Sequence, residues 1–174
     1  VLAAHGAQLV LVDLASMPPD TAGYAQPPLV CSGDVSQAAD WQRWMLQVEQ
    51  HVGHLDIVVN NAGTTHKNRP MLEVDEAMFD KIFSVNVKSI FHMTHAVVPL
   101  MRKQGRGVIL NIGSVAGIRP RPGLSWYNAS KGAVNVLSKS MAVELGPENI
   151  RVNAICPVMG VTGLFEDFMG LPDT

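Results

Sequence analysis

Short apolar runs alternate along the chain with longer segments in which apolar residues recur every three or four positions. The short runs predict five strands, at residues 8–14, 27–35, 54–63, 107–117 and 149–158. The longer segments predict helices at residues 38–52, 75–104 and 125–146. Continuously apolar strands that alternate with amphipathic helices are typical of a parallel sheet with helices on both faces. We therefore predict one α/β doubly wound domain over residues 1–174.

The composition fits a globular domain with a large core and gives no sign of a charged partner. The 174 residues are 47% hydrophobic and carry a net charge of −2. Proteins that bind nucleic acid or an anionic membrane surface usually present a basic patch, so we expect neither partner. No apolar run approaches the roughly 18 residues of a membrane span.

The cysteines and histidines indicate neither a disulfide nor a metal centre. Cys31 and Cys156 lie far apart in apolar stretches and form no C-x-x-C motif, which favours free thiols in a reducing compartment. His92 and His95 are three residues apart in a helical segment, but the sequence offers no third candidate ligand for them. We therefore expect a cytoplasmic protein without a metal.

Small and polar residues collect where the predicted strands end. Asp13 closes the first strand, Asp34 the second and Ser114 the fourth, while residues 60–63 end the third and residues 157–162 follow the fifth. In an open parallel sheet, ligands bind outside the carboxyl ends of the strands. Five such ends in succession therefore predict a binding edge.

Asp13 is the most informative residue of this edge. A carboxylate after the second strand of a dinucleotide-binding unit hydrogen-bonds the adenosine ribose and would repel a 2′-phosphate. Leu14 and Ala15 follow, and no Arg stands there to pair with such a phosphate. NAD is therefore favoured over NADP, and the alternative interpretation of Asp13 is a turn or cap residue.

Tyr127 and Lys131 are four residues apart within a predicted helix, so their side chains share one face. A neighbouring positive charge favours the phenolate and would lower the pKa of the phenol, which is about 10 in model peptides. The pair therefore suggests a proton donor and acceptor usable near neutral pH. A half-buried Tyr beside a solvated Lys is the alternative.

Six motifs occur in a fixed order along the chain. They are the pair Asp34 and Val35, NNAG at 60–63, Asn86 within VNVKS, Ser114 within NIGSVAG, YNASK at 127–131 and PVMGVT at 157–162. In this order and spacing they resemble the short-chain dehydrogenase/reductase family, and the similarity covers essentially the whole chain. Val158 departs from the family pattern, which has Gly after the proline.

The resemblance implies catalytic roles for four residues. Tyr127 would be the general acid/base, and Lys131 would lower its pKa and hydrogen-bond the nicotinamide ribose. Ser114 would donate a hydrogen bond to the substrate oxygen, where charge develops. Asn86 would hold a water that links Lys131 to solvent.

The resemblance also implies a cofactor site along the binding edge. Asp34 and Val35 would contact the adenine, and Thr162 would contact the carboxamide. The other implied cofactor-binding residues are Asp13, Asn61, Ala62, Gly63, Pro157, Tyr127 and Lys131. NAD is the expected cofactor of this Rossmann-type domain, and NADP is the less favoured one.

The ends of the chain depart from the family. A dinucleotide-binding fold begins with a strand, a Gly-rich turn and a helix whose N-terminus holds the pyrophosphate, and this chain opens without such a turn. The family's last strand is also missing after Thr174. We therefore expect a fragment of a longer polypeptide. The absent first strand would lie between the strands at 8–14 and 54–63, so these two should not pair directly.

The predicted function is hydride transfer between NAD(H) and a secondary alcohol or ketone, a small-molecule substrate. The alternatives are an NADP-dependent 3-oxoacyl-thioester reductase of the same family and a non-catalytic nucleotide-binding or assembly protein. An apolar lid after Thr162 slightly favours a partly apolar substrate, and its candidate residues are Leu164, Phe165, Phe168, Met169 and Leu171. The resemblance also implies a homotetramer or homodimer, in which the helices at 75–104 and 125–146 pack against a second copy.

Overall fold

All five predicted strands are present in the structure, a computed structural model that describes residues 2–15, 24–158, 160 and 163–170. The strands are β1 (Val10–Asp13), β2 (Leu29–Ser32), β3 (Ile57–Asn60), β4 (Gly107–Ile112) and β5 (Ile150–Ile155). Each lies within one of the predicted runs. The predicted runs are longer because they include the turn residues that follow each strand.

The strands form two parallel sheets. β1 pairs with β2, and β4 lies between β3 and β5. Within the described ranges β1 and β3 do not pair with each other, as the sequence predicted. Ile57 and Val59 on β3 are 50% and 43% exposed, although both are apolar strand residues.

Five α-helices accompany the strands in the described part of the chain. They are α1 (Ala38–His51), α2 (Glu76–Phe83), α3 (Ser89–Gln104), α4 (Ser125–Leu145) and α5 (Phe165–Met169). The single helix predicted at 75–104 is divided into α2 and α3 by a π-helical turn at Ser84–Lys88. Asp75 caps α2 by accepting a hydrogen bond from the Met78 N–H, and Gly105 ends α3 in the left-handed conformation with φ 71°.

One hydrophobic core lies between β3–β4–β5 and the helices α3 and α4. Residues on β4 alternate: Ile109 and Asn111 are fully buried on the side of the helices, and Val108 and Leu110 are half-buried on the other side. α1 packs on the same core through partly buried apolar side chains. The buried cluster includes Met93, Val97, Met101, Val134, Met141 and Ile150.

The α/β class with parallel strands is confirmed. In the described residues α1, α3 and α4 all pack on one face of the β3–β4–β5 sheet. The reason is topological. The connections from β3 to β4 and from β4 to β5 advance across the sheet in one direction, and right-handed crossovers then place their helices on the same side.

The structure also bears on the predictions about thiols and membranes. Cys31 and Cys156 are both free, and Cys31 is buried with its thiol donating to Gln47 Oε1 at 3.1 Å. Among the helices of the described ranges, none combines the length and the apolar character that a membrane crossing requires. The cytoplasmic location stays a prediction.

Candidate active site

Tyr127 and Lys131 lie one turn apart on the same face of α4, and both side chains are buried. The Lys131 ammonium donates a hydrogen bond of 2.7 Å to the carbonyl oxygen of Ile112, the last residue of β4. Its Nζ lies 5.9 Å from the centre of the Tyr127 ring. α4 therefore brings both groups to the carboxyl end of β4, on the edge where open parallel sheets bind ligands.

Ser114 joins this pair from the turn that follows β4. Its Oγ accepts a hydrogen bond of 3.0 Å from the Ala116 N–H, and its side chain lies close enough to the Tyr127 phenol to lower the pKa of that phenol. Like Tyr127 and Lys131, Ser114 is buried. The three side chains with predicted roles in proton transfer and oxygen binding thus meet at one place.

The pKa of Tyr127 is shifted in the direction opposite to the prediction. Burial raises the pKa of the phenol, and the hydrogen bond with Ser114 offsets part of that rise. The sequence predicted that Lys131 would lower it. That prediction is wrong for this structure because loss of hydration dominates, while the ammonium is bound to a backbone carbonyl. At neutral pH the phenol is therefore protonated and able to donate.

Lys131 shows the complementary effect of the same burial. Loss of hydration lowers the pKa of its ammonium to about 8, and the electrostatic effect of the neighbouring Cys156 offsets part of this change. The charge on Lys131 is therefore lost at a much lower pH than the charge on a solvated lysine.

Asn86 lies in the π-helical turn and is buried. Its Oδ1 accepts from the Thr64 N–H at 2.8 Å, and its Nδ2 donates to the Thr64 carbonyl and to Ser130 Oγ, both at 2.9 Å. The side chain therefore joins the loop after β3 to α4. Both amide hydrogens are engaged in this way, and the role of Asn86 in holding a water stays a prediction.

Residues 61–63 follow β3 and run beside the lysine. A Cβ atom at Gly63 would lie 3.6 Å from Lys131 Nζ and 3.5 Å from Asn86 Oδ1, so the glycine backbone passes both side chains closely. Asn61 and Ala62 are exposed. This segment forms an open backbone shelf next to the buried Lys131.

The acidic residues of the predicted adenosine region lie at the ends of β1 and β2. Asp13 is exposed, and its Oδ1 accepts from the Ala15 N–H at 2.9 Å. The turn interpretation of Asp13 is thus observed, and among the described residues none hydrogen-bonds its second carboxylate oxygen. Asp34 Oδ1 accepts from the Ser36 N–H at 2.8 Å, and Val35 between them is half-buried.

The end of β5 lies beside the serine turn. The carbonyl oxygen of Pro157 accepts from the Val115 N–H at 3.1 Å, and Pro157 itself is exposed. Thr162, the predicted carboxamide contact, and Leu171 of the predicted lid lie outside the described residues.

The helix α5 covers the phenol. The Phe168 ring lies 5.1 Å from the Tyr127 ring, centre to centre. Sequence reasoning missed Asn68, which fixes this cover: its N–H donates to the Asp167 carbonyl at 2.8 Å, and its Nδ2 donates to the Pro122 carbonyl at 3.2 Å. A lone Asn in a loop carries no periodic signal, so only the folded chain identifies this contact.

The chain belongs to the short-chain dehydrogenase family. A family model described as short chain dehydrogenase matches residues 1–169. Among the residues that the structure describes, no three His, Cys, Asp or Glu side chains come together in a way that could hold a metal ion.

Named relatives and solved structures agree with this assignment. The 4-formylbenzenesulfonate dehydrogenase TsaC1/TsaC2 of Comamonas testosteroni is 44% identical over 141 residues, which are 81% of this chain and 56% of the relative. The chain thus spans about half the length of this curated relative. The crystal structure of 3-ketoacyl-(acyl-carrier-protein) reductase from Brucella melitensis complexed with NADH has a TM-score of 0.87 at 38% identity, covering 95% of this chain and 71% of that one. An NAD+-bound xylitol dehydrogenase structure has a TM-score of 0.85 at 31% identity, covering 95% and 66%.

The burial of Lys131 predicts a pH-dependent cost in stability. Because the pKa of Lys131 is about 8 in the folded protein and near 10.5 when solvated, the unfolded chain binds this proton more tightly. The cost is fully present below pH 8 and disappears as the pH rises towards 10.5. Relative to Lys131→Met, the wild-type protein should therefore gain free energy of unfolding between pH 8 and pH 10, measured by urea denaturation.

The matched control for this experiment is Lys139→Met, which replaces an exposed lysine on the same helix. The difference in free energy of unfolding between Lys139→Met and the wild type should stay constant over the same pH range. An equally constant difference for Lys131→Met would contradict the lowered pKa of Lys131. The absolute difference at one pH is less informative, because Met also removes the hydrogen bond to Ile112.

Proposed function

We propose that the full protein is an NAD-dependent oxidoreductase that interconverts a secondary alcohol and a ketone. The observation that carries this proposal is the convergence of Ser114, Tyr127 and Lys131 at the carboxyl end of β4. Family membership supports the reaction class. In the reduction, the Tyr127 phenol donates a proton to the carbonyl oxygen, and in the oxidation it takes the proton back.

The exposed edge of the two sheets fits a dinucleotide. The free carboxylate oxygen of Asp13 suits the adenosine ribose, and Asp34 and Val35 lie at the neighbouring strand end for the adenine. The backbone shelf at 61–63 lies beside Lys131, which would hold the nicotinamide ribose. When bound, the nicotinamide supplies or accepts the hydride. Pro157 and Thr162 complete the proposed site.

The chain's own residues handle the proton and the charge. Burial keeps the Tyr127 phenol protonated at neutral pH, which suits proton donation to a ketone. The Ser114 hydroxyl is placed to donate to the same substrate oxygen, because it already reaches the phenol.

The cover over the phenol favours a substrate with an apolar part. Phe168 and the helix α5 keep water from Tyr127, and an aromatic or aliphatic group would pack against the same ring. The relative named for 4-formylbenzenesulfonate supports an aromatic carbonyl compound as one candidate. A second candidate is NADP-dependent reduction of a 3-oxoacyl thioester, which draws on the structural likeness to the Brucella reductase. Asp13 argues against this second candidate, because its carboxylate would repel the 2′-phosphate of NADP.

Replacement of the phenol tests the catalytic proposal. In the full-length enzyme Tyr127→Phe should lower kcat by about 10²–10⁴-fold, because the proton donor is lost, while the Kd for NAD changes little. Steady-state kinetics and cofactor titration measure both quantities. Tyr24→Phe, at the other tyrosine of the chain, is the matched control and should leave kcat unchanged. A Tyr127→Phe enzyme with more than half of the wild-type rate would remove Tyr127 from the mechanism.

Replacement of Asp13 tests the choice of cofactor. The wild-type enzyme should have a higher kcat/KM with NAD than with NADP, because a carboxylate repels the 2′-phosphate. Asp13→Ala should reduce the difference between the two kcat/KM values, mainly by weakening the binding of NAD. Asp56→Ala, which removes a carboxylate that pairs with Arg106 away from the proposed site, should preserve the preference. Equal kcat/KM values for both cofactors in the wild type would contradict the NAD assignment.

Exposed apolar side chains on α3 and α4 support a homodimer or homotetramer. Phe91, Val136 and Val143 are each more than half exposed. Phe91 and Leu137 line one open, mostly apolar depression between these helices and the π-helical turn. A second copy of the chain that packs on this surface would remove it from water.

A charge in this surface should prevent association. We expect the wild-type protein to be oligomeric at micromolar concentration and Phe91→Lys to be a monomer, because a buried unpaired ammonium is costly. Multi-angle light scattering reports the mass of each. Leu46→Lys places the same charge at an exposed apolar residue of α1 and should leave the mass unchanged. A monomeric wild type would rule out the proposed assembly.

A further inference from the structure

Asn135 extends the face of α4 that carries the proposed catalytic pair. It lies one turn after Lys131 and two turns after Tyr127. Its Nδ2 donates a hydrogen bond of 3.1 Å to the backbone carbonyl of Ser114. Its Oδ1 accepts a hydrogen bond of 3.3 Å from the thiol of Cys156, just after β5. One amide therefore links α4 to the turn after β4 and to the end of β5.

The turn around Ser114 fits closely against this amide. A Cβ atom at Gly113 would overlap Asn135 Oδ1, and one at Gly117 would lie 2.7 Å from Asn135 Nδ2. Real Cβ atoms do not approach so closely, so only glycine on each side of Ser114 permits this contact. The backbone on both sides of Ser114 is therefore shaped to the side chain of Asn135.

The carbonyl that Asn135 binds belongs to the residue whose hydroxyl reaches the phenol. The Ser114 side chain accepts from the Ala116 N–H and lies beside the Tyr127 phenol, and the Ser114 carbonyl is hydrogen-bonded to Asn135 on α4. Lys131 donates to the carbonyl of Ile112, which precedes Ser114 by two residues. Two side chains of α4 therefore bind carbonyls at and just after the end of β4, and the carbonyl that Asn135 binds is that of Ser114 itself.

We propose that Asn135 is a positioning residue, whose amide holds Ser114 where its hydroxyl meets both the Tyr127 phenol and the substrate oxygen. The inference rests on the proposed function of Ser114 and Tyr127. Asn135 itself contacts neither substrate nor cofactor in this proposal. Its whole effect on the reaction passes through Ser114.

A double-mutant cycle in the full-length enzyme tests this dependence. Asn135→Ala should lower kcat by about 10–100-fold, because small misplacements of a reacting group cost up to about 10²-fold. In a Ser114→Ala background, the same substitution should cost less than about twofold, because the residue that it positions is already gone. If Asn135→Ala does not fold, Asn135→Leu fills the same volume without an amide and is measured in the same way.

The matched control is Ser138→Ala, one turn further along α4. Ser138 lies on the same helix, and its replacement removes the buried hydrogen bond that Ser138 Oγ accepts from Asn111 Nδ2 on β4, without touching the proposed site. It should lower the free energy of unfolding about as much as Asn135→Ala does, yet retain the wild-type kcat. A comparable loss of kcat in Ser138→Ala would show that any weakening of α4 suffices, and would overturn the positioning role.

The pH profile supplies a readout that a merely structural role would not change. Without the hydrogen bond from Ser114, the pKa of Tyr127 rises further, so the rise of the alcohol-oxidation rate should move to higher pH in Asn135→Ala. An unshifted profile, or equal fold losses in both Ser114 backgrounds, would overturn the proposal while the proposed function stands. Full activity of Ser114→Ala and Tyr127→Phe would instead reject the proposed function, and this inference with it.

Discussion

The site depends on the close contact between α4 and the turn that follows β4. A Cβ atom at Gly117 would lie 2.5 Å from the carbonyl carbon of Lys131 and 2.6 Å from the Gly132 nitrogen, so backbone lies directly against backbone. At that distance Lys131 reaches the end of β4, and Ser114 reaches the Tyr127 phenol. A larger residue at Gly117 would push the helix away and separate all three groups.

The same contact explains why the two titratable groups are shifted in opposite directions. Packing of α4 on the strand end removes water from Tyr127 and Lys131 together, and loss of hydration disfavours the charged form of each. The site therefore favours a neutral phenol at Tyr127, and it lowers the affinity of the Lys131 amine for its proton. Phe168 adds to this effect by covering the phenol with a ring from α5.

Buried amides also join strands and helices within the core. Asn111 on β4 is fully buried, accepts from Asn60 Nδ2 on β3 at 2.7 Å and donates to Ser138 Oγ on α4 at 2.9 Å. Asn86 makes the corresponding link from the π-helical turn to Thr64. If a strand or helix shifted, the buried amide that joins it to its neighbour would lose its hydrogen-bond partners. These hydrogen bonds therefore favour one arrangement of strands and helices.

Sequence patterns were enough to predict the five strands, most of the helices, the shared face of Tyr127 and Lys131 and the order of motifs that identifies the family. These features are local: strand and helix periodicity, and the spacing of i and i+4, follow from backbone geometry alone. Tertiary contacts account for the raised pKa of Tyr127, the partners of Asn86 and the placement of α1, α3 and α4 on one face. Hydration and hydrogen-bond partners come from residues far apart along the chain, and the face that a helix covers follows from the direction in which the strands are added.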